Sequence, residues 1–490
     1  MSRLFVRIFL VITGQLRTIG LATVIGLLVP LTLTAQTPTL QADANNSGET
    51  SPSTGPATAS STAQAPSYPQ QQQYPSQTPD QGKLGVTVGP ISVRFRGTLL
   101  LNLSGSDSAV AGGDLPLWAA PGSGNVTFPD GSTGRTHDLF ITARQTVLGF
   151  AISPSTPPAS GWTPSAVVEF DFFGSRPADN NLPQGRVFNQ PRLRLAYFQL
   201  TKGTWKLVAG QDKMIIAPLD PISFSHVAAP LGATAGDLWG WLPQVRVEKT
   251  QKLSEKTTAL FQLGALRPEF ADTRLGDTLA AGNGSLDNAT AGTRSTMPFF
   301  QARAAVSHPM NGSTATIGVG GHYGREVAGV NHHPDSWATA LDFRIPVQSR
   351  LILRGEGYVG TNLLPFQGGI DQGVAVVAAT PTQPFLINRI GDAGGWGELT
   401  IRVTTDDKNH LYFGAGTDDP VYHTLLPGSG RSRNSFYWAS YFHKLTNDVT
   451  VALEWSNWQF RTTGFTGNAP GPRGPYGRAN VFNLAFAYTF

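Results

Sequence analysis

The segment FNLAFAYTF (residues 482–490) alternates strictly between apolar residues and small or polar ones. Successive side chains of a β-strand point to opposite faces, so this alternation places the apolar side chains together on one face. The apolar members are Phe482, Leu484, Phe486, Tyr488 and Phe490. The segment therefore predicts a strand with one apolar face and one small or polar face.

The same alternation recurs upstream, beginning at residue 91. The apolar face of the first such stretch holds Ile91, Val93, Phe95, Leu99, Leu101 and Leu103. About 16 such stretches follow one another up to the C-terminal segment, and strands of roughly 9 to 11 residues match a tilted crossing of a bilayer. The sequence predicts an all-β fold, a transmembrane antiparallel β-barrel of about 16 strands.

The connections between these stretches fall into two classes. Short turns are expected at residues 201–204, 308–313, 404–409 and 445–448. Long connections rich in Gly and Pro are expected at residues 104–137, 211–242, 361–393 and 461–478. Short periplasmic turns and long extracellular loops are typical of such barrels. Within the second long connection, residues 214–241 either fold inward and narrow the pore or form an ordinary extracellular loop, and the sequence leaves both open.

The N-terminal region has the layout of a secretory signal peptide. Arg3, Arg7 and Arg17 precede an apolar run over residues 19–33, and small residues follow up to Ala35. The alternative is a single membrane anchor, but the run is shorter than the roughly 20 residues that a membrane helix needs. We assign residues 1–35 to a signal peptide that is cleaved near Ala35.

The next segment, residues 36–82, is rich in Pro, Gln, Ser and Thr. Such a composition buries too little apolar surface to offset the entropy of ordering the chain. We therefore expect a disordered periplasmic linker, with contact to peptidoglycan or a partner as the alternative. Residues 83–490 are then the barrel domain.

Composition excludes several classes of protein. The chain has no cysteine, which excludes disulfides, thiolate zinc sites and cysteine nucleophiles. No segment after the signal region reaches about 18 consecutive apolar residues, so membrane-spanning helices are not expected. The signal region supplies three of the four net positive charges, so the charge gives no indication of nucleic-acid binding.

The C-terminal strand resembles the signal by which the outer-membrane assembly machinery recognises its substrates, a strand that ends in Phe. Phe490 occupies that position. Together with the signal peptide, it predicts a location in the bacterial outer membrane and assembly through Phe490. Outer-membrane lipid and lipopolysaccharide are then expected contacts of the barrel.

The polar face of each strand is expected to point into the lumen. The candidate pore-lining and substrate-binding residues on that face are Arg94, Arg96, Arg144, Arg192, Arg194, Arg246, Arg354 and Arg402. Arginines around a narrow aqueous passage favour anions, and guanidinium groups bind carboxylates in a bidentate manner. The alternative is that each arginine pairs with an acid of a neighbouring strand and only braces the wall.

Three segments resemble the opening strands of the DcaP-like outer-membrane porins: RQTVLGF (residues 144–150), VEFDFFG (168–174) and RLRLAY (192–197). The resemblance covers chiefly residues 91–250. It implies a homotrimer of barrels with about 16 strands, with arginines in the constriction and small anionic solutes such as dicarboxylates as cargo. The helical segment that precedes the barrel in such proteins has no counterpart in residues 36–82, which lack sustained heptads.

No motif indicates an enzyme. The sequence lacks a Gly-x-Ser-x-Gly elbow, a His-Glu-x-x-His helix and a Gly-rich phosphate loop. His332, His333 and Asp335 lie near His322 but make only a weak metal-ligand pattern, and we expect no metal and no cofactor. The function expected is a passive porin and not an enzyme. The alternatives are a plugged structural or adhesive barrel tethered to the cell wall and, less favoured, a barrel-type hydrolase.

Overall fold

The computed structural model describes residues 84–121, 125–156, 158–174, 189–270, 290–328, 331–377, 381, 385–426, 430–466 and 469–490. The predicted signal peptide and linker lie outside the described residues, so both assignments stay predictions.

Sixteen antiparallel strands close into a barrel, which confirms the predicted fold class. In chain order they are β1 (Ile91–Ser106), β2 (Val147–Pro154), β3 (Thr163–Gly174), β4 (Gln190–Lys202), β5 (Trp205–Lys213), β6 (Trp241–Lys252), β7 (Thr258–Leu266), β8 (Phe299–Met310), β9 (Ser313–Arg325), β10 (Asp335–Gln348), β11 (Leu351–Thr361), β12 (Gly391–Arg402), β13 (Asn409–Asp418), β14 (Arg431–Lys444), β15 (Val449–Thr466) and β16 (Ala469–Thr489). Each strand pairs with its neighbours in sequence, and β16 pairs with β1 to close the ring.

Two further strands extend the edges of β1. Leu84–Val88 pairs with the first half of β1, and Asp138–Thr142 pairs with its second half. The second of these strands lies in line with β2, because both pair with β1. The break between them, residues 143–146, carries Arg144 and Gln145.

The long connections contain short elements of their own. Three two-stranded ladders are Val110–Ala111 with Trp118–Ala119, Asn125–Thr127 with Thr133–Arg135, and Val374–Val377 with Leu386–Arg389. Single helical turns are Thr293–Ser295, Leu364–Phe366, Gly368–Asp371 and Tyr422–Thr424. Within the described residues, no helix has the length and apolarity needed to cross a membrane.

The two faces of the strands follow the predicted alternation. On β16 the outward side chains of Phe482 and Phe486 are 59% and 43% exposed, whereas the inward Asn483 and Ala485 are buried. Exposure of large apolar side chains around the barrel suits a surface that faces lipid hydrocarbon. The interior instead holds most of the buried charged side chains, so function is to be sought there.

One predicted loop is a strand pair. Residues 461–478 were expected to form a long connection because they are rich in Gly and Pro, but β15 and β16 continue through them to Thr466 and Ala469. The ladder accommodates the prolines through register shifts near Thr463. Irregular positions tolerate proline because they do not require its missing backbone donor.

The closing seam depends on a glycine. Gly97 of β1 exchanges two backbone hydrogen bonds of 3.1 Å with Phe490. A Cβ at position 97 would lie 2.6 Å from the carbonyl oxygen of Val147 and 3.0 Å from the ring of Phe490. No residue larger than glycine therefore fits at position 97, next to Phe490.

Gly97→Ala is expected to destabilise the seam by about 1–3 kcal/mol, since overpacking displaces backbone on both sides. The fraction of heat-modifiable, folded barrel after refolding measures this effect on a denaturing gel. Gly397→Ala is the matched control, because a Cβ on this β12 glycine meets nothing within 4 Å. Equal folded fractions for the two variants would contradict the seam argument.

Candidate functional site in the barrel lumen

The connection between β5 and β6, residues 214–240, folds into the barrel, and we call it the inner loop. Nearly all of its residues are buried, the half-buried ones being Ile222, Trp239 and Gly240. Of the two alternatives that the sequence left open for this segment, the structure therefore shows the inward fold. A buried loop must find partners for its backbone groups, and here the barrel wall supplies them.

Carboxylates of the wall accept hydrogen bonds from the first half of the inner loop. Glu356 of β11 accepts from the backbone N–H of Leu219 at 2.5 Å, and Glu398 of β12 accepts from that of Ile222 at 2.7 Å. Glu454 of β15 accepts from the hydroxyls of Ser223 and Ser225. Each of these buried acids accepts at least one hydrogen bond from the loop, and such bonds offset part of the cost of burying a carboxyl group.

Further wall residues bind backbone groups of the same loop, some as donors and some as acceptors. Arg354 of β11 donates to the carbonyl of Asp220 at 2.6 Å, and Arg194 of β4 donates to that of Val227 at 2.8 Å. Gln145 accepts from the N–H groups of Val227 and Ala228 at 2.8 and 3.1 Å. The loop therefore follows the inner wall past β11, β12 and β15 to the start of β2 and to β4.

The second half of the inner loop packs through apolar contacts. Leu231 and Ala235 join a buried cluster with the rings of Phe436 and Trp458. Gly236 has φ +112°, and a Cβ there would lie 2.6 Å from the carbonyl oxygen of Thr417. Only glycine fits this approach of the loop backbone to the wall.

A cavity of about 890 Å³ lies between the inner loop and the short-turn side of the barrel. Its cationic lining residues are Arg94, Arg96, Lys206, Lys213, Arg246, Arg303, Arg344, Arg354 and Arg402, and its acidic ones are Glu169, Asp212, Glu248 and Asp342. Nine cationic groups thus face four carboxylates among the described residues.

Each of the four cavity carboxylates already has a cationic partner. Glu169 pairs with Arg96 at 2.6 Å, and Asp342 pairs with Arg303 at 2.6 Å. Arg246 pairs with Asp212 at 2.7 Å and with Glu248 at 2.6 Å. Three further cations of the cavity pair with acids outside its lining, namely Lys213 with Asp220 at 2.5 Å, Arg354 with Glu398 at 3.9 Å and Arg402 with Asp407 at 3.8 Å. Arg344 has no acid within ion-pairing distance among the described residues.

Three arginines of the cavity lie on adjacent strands. Arg344 of β10 lies directly opposite Arg354 of β11 in the register, and Arg402 lies on β12. Arg344 donates to the carbonyl of Thr314 at 2.6 Å, and no carboxylate of the described residues lies within ion-pairing distance of it. We call Arg344, Arg354 and Arg402 the arginine cluster.

The eight arginines predicted from the sequence divide into two groups. Arg94, Arg96, Arg246, Arg354 and Arg402 line the cavity, whereas Arg144, Arg192 and Arg194 are not among its lining residues. Arg303, Arg344 and Lys213 also line the cavity but were not among the residues predicted from the sequence. The inward parity of their strands was the available signal for the first two.

Arg192 and Arg194 brace the wall and hold the inner loop. Arg192 pairs with Asp171 of β3, and Arg194 pairs with Glu169 at 2.9 Å and with Asp171 at 3.1 Å. Both were predicted to line the pore, but they pair with acids of the neighbouring strand β3. A bulge between Leu193 and Leu195 sets this pairing.

Arg144 lies in the break before β2 and has a different role. It pairs with Asp114 of the first long connection, and its guanidinium group lies 3.6 Å from the ring centroid of Phe173. Its contacts therefore tie that connection to the wall.

The histidine pattern singled out in the sequence is not assembled into a site. His322 on β9 donates to or accepts from Ser336 at 3.0 Å, Asp335 pairs with Arg325, and His332 packs on Phe385. The described part of the chain contains no group of three His, Asp or Glu residues that fits a metal ion.

His226 belongs to the inner loop and is buried against the carbonyl of Pro116, 3.1 Å from its Nε2 atom. Burial lowers the pKa of this imidazole from 6.5 to about 4. In a released loop the pKa returns to about 6.5. The neutral imidazole thus favours the seated loop above pH 6.5, and this contribution is lost as the pH falls from there to about 4.

Protonation of His226 is therefore expected to weaken the seating of the inner loop by up to about 3 kcal/mol. Single-channel current noise recorded between neutral pH and pH 4 measures the opening and closing of the loop. His226→Gln, which stays neutral, is expected to remove the part of the pH dependence that His226 contributes. A noise profile that is the same in both proteins would show that another group controls the loop.

No protein-family model and no curated protein sequence matches the chain. Among solved structures, the chain is similar to the outer membrane channel DcaP of Acinetobacter baumannii, with 14% identity and a TM-score of 0.55 over 82% of this chain and 99% of that one. It also matches an anion-selective porin from Comamonas acidovorans (11% identity, TM-score 0.46, 82% and 100% covered) and Salmonella typhi OmpF in complex with daunomycin (9%, 0.48, 83% and 100%). The chain therefore adopts the fold of the outer-membrane channel DcaP, which confirms at the level of the fold the resemblance stated from its opening strands.

Proposed function

We propose that the protein is an outer-membrane porin through which small hydrophilic solutes diffuse passively, with a preference for anions such as dicarboxylates. The observation that carries this proposal is the lumen cavity, where nine cationic groups face four carboxylates that are already paired. Fixed positive charge inside a low-dielectric wall raises the local concentration of anions and lowers that of cations.

The arginine cluster is the proposed solute-binding element. Arg344 has no acidic partner among the described residues, whereas Arg354 lies 3.9 Å from Glu398 and Arg402 lies 3.8 Å from Asp407. Guanidinium groups on adjacent strands offer paired donors that match the two ends of a small dicarboxylate. The proposal places no cofactor and no metal in this process.

The location and partners of the protein follow from the same proposal. An outward apolar surface around the barrel suits outer-membrane lipid and lipopolysaccharide. The homotrimer rests on the resemblance to the DcaP-like porins, and recognition by the barrel assembly machinery rests on the Phe-terminated strand.

A catalytic role is not part of the proposal. Ser225, His226 and Glu454 lie together, with Ser225 bonded to both partners. All three side chains are buried, however, and His226 is engaged by the carbonyl of Pro116. A nucleophile needs access to substrate, so this group serves to hold the inner loop.

One observation favours a second candidate, a structural barrel with a plugged lumen. The inner loop is bonded to the wall on β8, β11, β12 and β15 and at the start of β2. A loop fixed at so many points could block flow altogether. The two candidates differ in one property, conductance.

Single-channel recording in a planar bilayer under a salt gradient tests both candidates. Stepwise conductance with a reversal potential of the anion-selective sign, and current block by added dicarboxylate, is the expected result. Conductance without selectivity would keep the pore and remove the anion preference. A folded barrel without conductance would replace the porin by the plugged structural barrel.

A further inference from the structure

Three arginines lie on the outer surface of the barrel, where β14, β15 and β16 approach the long loops. Arg433 is directly opposite Arg461 in the register, and Arg461 is opposite Tyr476, whose ring centroid lies 4.9 Å from its guanidinium group. Arg478 is a diagonal neighbour of Arg461, at a distance of about 7–8 Å. We call these three residues the outer arginine patch.

The depth of the patch follows from the strand geometry. The outward apolar residues of β16 extend from Phe490 to Phe482, which is about 27 Å along the strand and roughly 20 Å along the membrane normal at the usual tilt. This length matches the apolar band of outer-membrane barrels, about 25 Å tall. The next outward positions are Asn480 and Arg478, so the patch lies at the level of the lipid headgroups on the long-loop side.

Side chains with amide groups lie between the apolar band and the patch. Asn480 accepts hydrogen bonds from Trp455 at 3.3 Å and from Asn457 at 2.8 Å, and Gln459 donates to Asn457 at 3.0 Å. The acid next to this network, Asp107, is engaged by the backbone and side chain of Asn480 at 2.8 and 2.6 Å. It is therefore not used to neutralise the arginines.

Two exposed arginines elsewhere on the long-loop side have acidic partners. Arg267 pairs with Glu269 at 2.7 Å, and Arg325 pairs with Asp335 at 2.7 Å. Within the described part of the chain, by contrast, no carboxylate lies within ion-pairing distance of any member of the outer arginine patch. Like charges on adjacent strands repel one another, so binding of an anion between them is favourable.

We infer that the outer arginine patch binds the phosphate groups of a phosphorylated glycolipid of the outer leaflet, of the lipid A type. Guanidinium groups bind phosphate in a bidentate manner, and two or more of them can hold one phosphate. The exposed apolar side chains below the patch, Tyr437, Leu453 and Phe482, offer a surface for the acyl chains. This inference rests on the outer-membrane location of the proposed function.

Binding of lipid A to the full chain in detergent, measured by native mass spectrometry, tests the inference. The variant Arg433→Gln/Arg461→Gln/Arg478→Gln is expected to bind at least about tenfold more weakly, because charge-assisted hydrogen bonds to phosphate are lost. The matched control is Arg267→Gln/Arg325→Gln, which removes exposed arginines that already have partners, and its binding is expected to stay as in the unmodified protein. Dephosphorylated lipid A, bound to the unmodified protein, is expected to show the same loss without any substitution.

Several outcomes would overturn the inference. Unchanged binding in the triple variant, or equally tight binding of dephosphorylated lipid A, would remove the phosphate contact. Equal affinity for phosphatidylglycerol vesicles, or full displacement of lipid A by inorganic phosphate, would show an unspecific anion surface. Conductance recorded on the same preparations keeps the two proposals apart, since its absence in every variant rejects the pore and leaves the lipid result standing.

Discussion

Excision of the inner loop is expected to raise the single-channel conductance several-fold while the barrel stays folded. Lys213 and Trp241, which flank the loop, are direct partners in the ladder of β5 and β6. A two-residue Asn-Gly turn can therefore replace residues 214–240 and close a tight hairpin without changing the register. A barrel of this strand number without an inserted loop encloses an open aqueous channel.

The wall acids that now bind the loop would face water after the excision. Glu356, Glu398 and Glu454 point into the lumen and bind the loop, so water is expected to replace the lost hydrogen bonds. Heat-modifiable migration on a denaturing gel checks folding, and planar-bilayer recording measures the conductance. Glu398→Gln, which removes one charged anchor only, is the graded control and is expected to change the conductance less.

The outcome separates the two candidate functions. A conducting protein whose conductance rises on excision has a constricted pore. A protein that conducts only after the excision has a plugged lumen, and the second candidate, the structural barrel, would then apply. Equal conductance before and after excision in a folded barrel would show that the inner loop does not limit the passage.

Much of the architecture could be predicted because it depends on local periodicity. The alternation in residues 91–103 and 482–490 determines which side chains face lipid, and only a closed antiparallel sheet satisfies backbone groups in hydrocarbon without helices. The prediction failed at residues 461–478, where the Gly and Pro content indicated a loop. There the ladder between β15 and β16 tolerates both residues through its register shifts.

The candidate site was predicted only in part, because it depends on partners that are distant in sequence. Arg192 and Arg194 look unpaired along the chain, yet the register of β3 and β4 brings Asp171 and Glu169 to them. The inward fold of the inner loop also depends on distant partners, because the acids that bind it lie more than a hundred residues away in sequence. Glu356 and Glu398 carry no local mark that distinguishes a loop anchor from a pore-lining charge.

Reversing two charges of the arginine cluster is expected to abolish the anion selectivity. The change Arg344→Glu/Arg402→Glu converts a lining of nine cationic and four acidic groups into one of seven and six, so the excess that repels cations nearly disappears. Neither residue has a hydrogen bond to the inner loop in the structure, and the loss of the Arg344 bonds to Ser313 and Thr314 costs about 1 kcal/mol each. The barrel and its loop are therefore expected to remain folded.

The reversal potential under a salt gradient measures this effect, and block by a dicarboxylate gives a second readout. Arg344→Lys/Arg402→Lys keeps both charges and is expected to retain the selectivity while weakening the dicarboxylate block, because an ammonium group cannot bind a carboxylate in a bidentate manner. Lys252→Glu/Lys256→Glu places the same new charge at a short turn outside the lumen and controls for surface charge. If the reversal potential of the arginine variant equals that of this surface control, ions do not pass the strands β10 to β12, and the anion preference must arise elsewhere in the lumen.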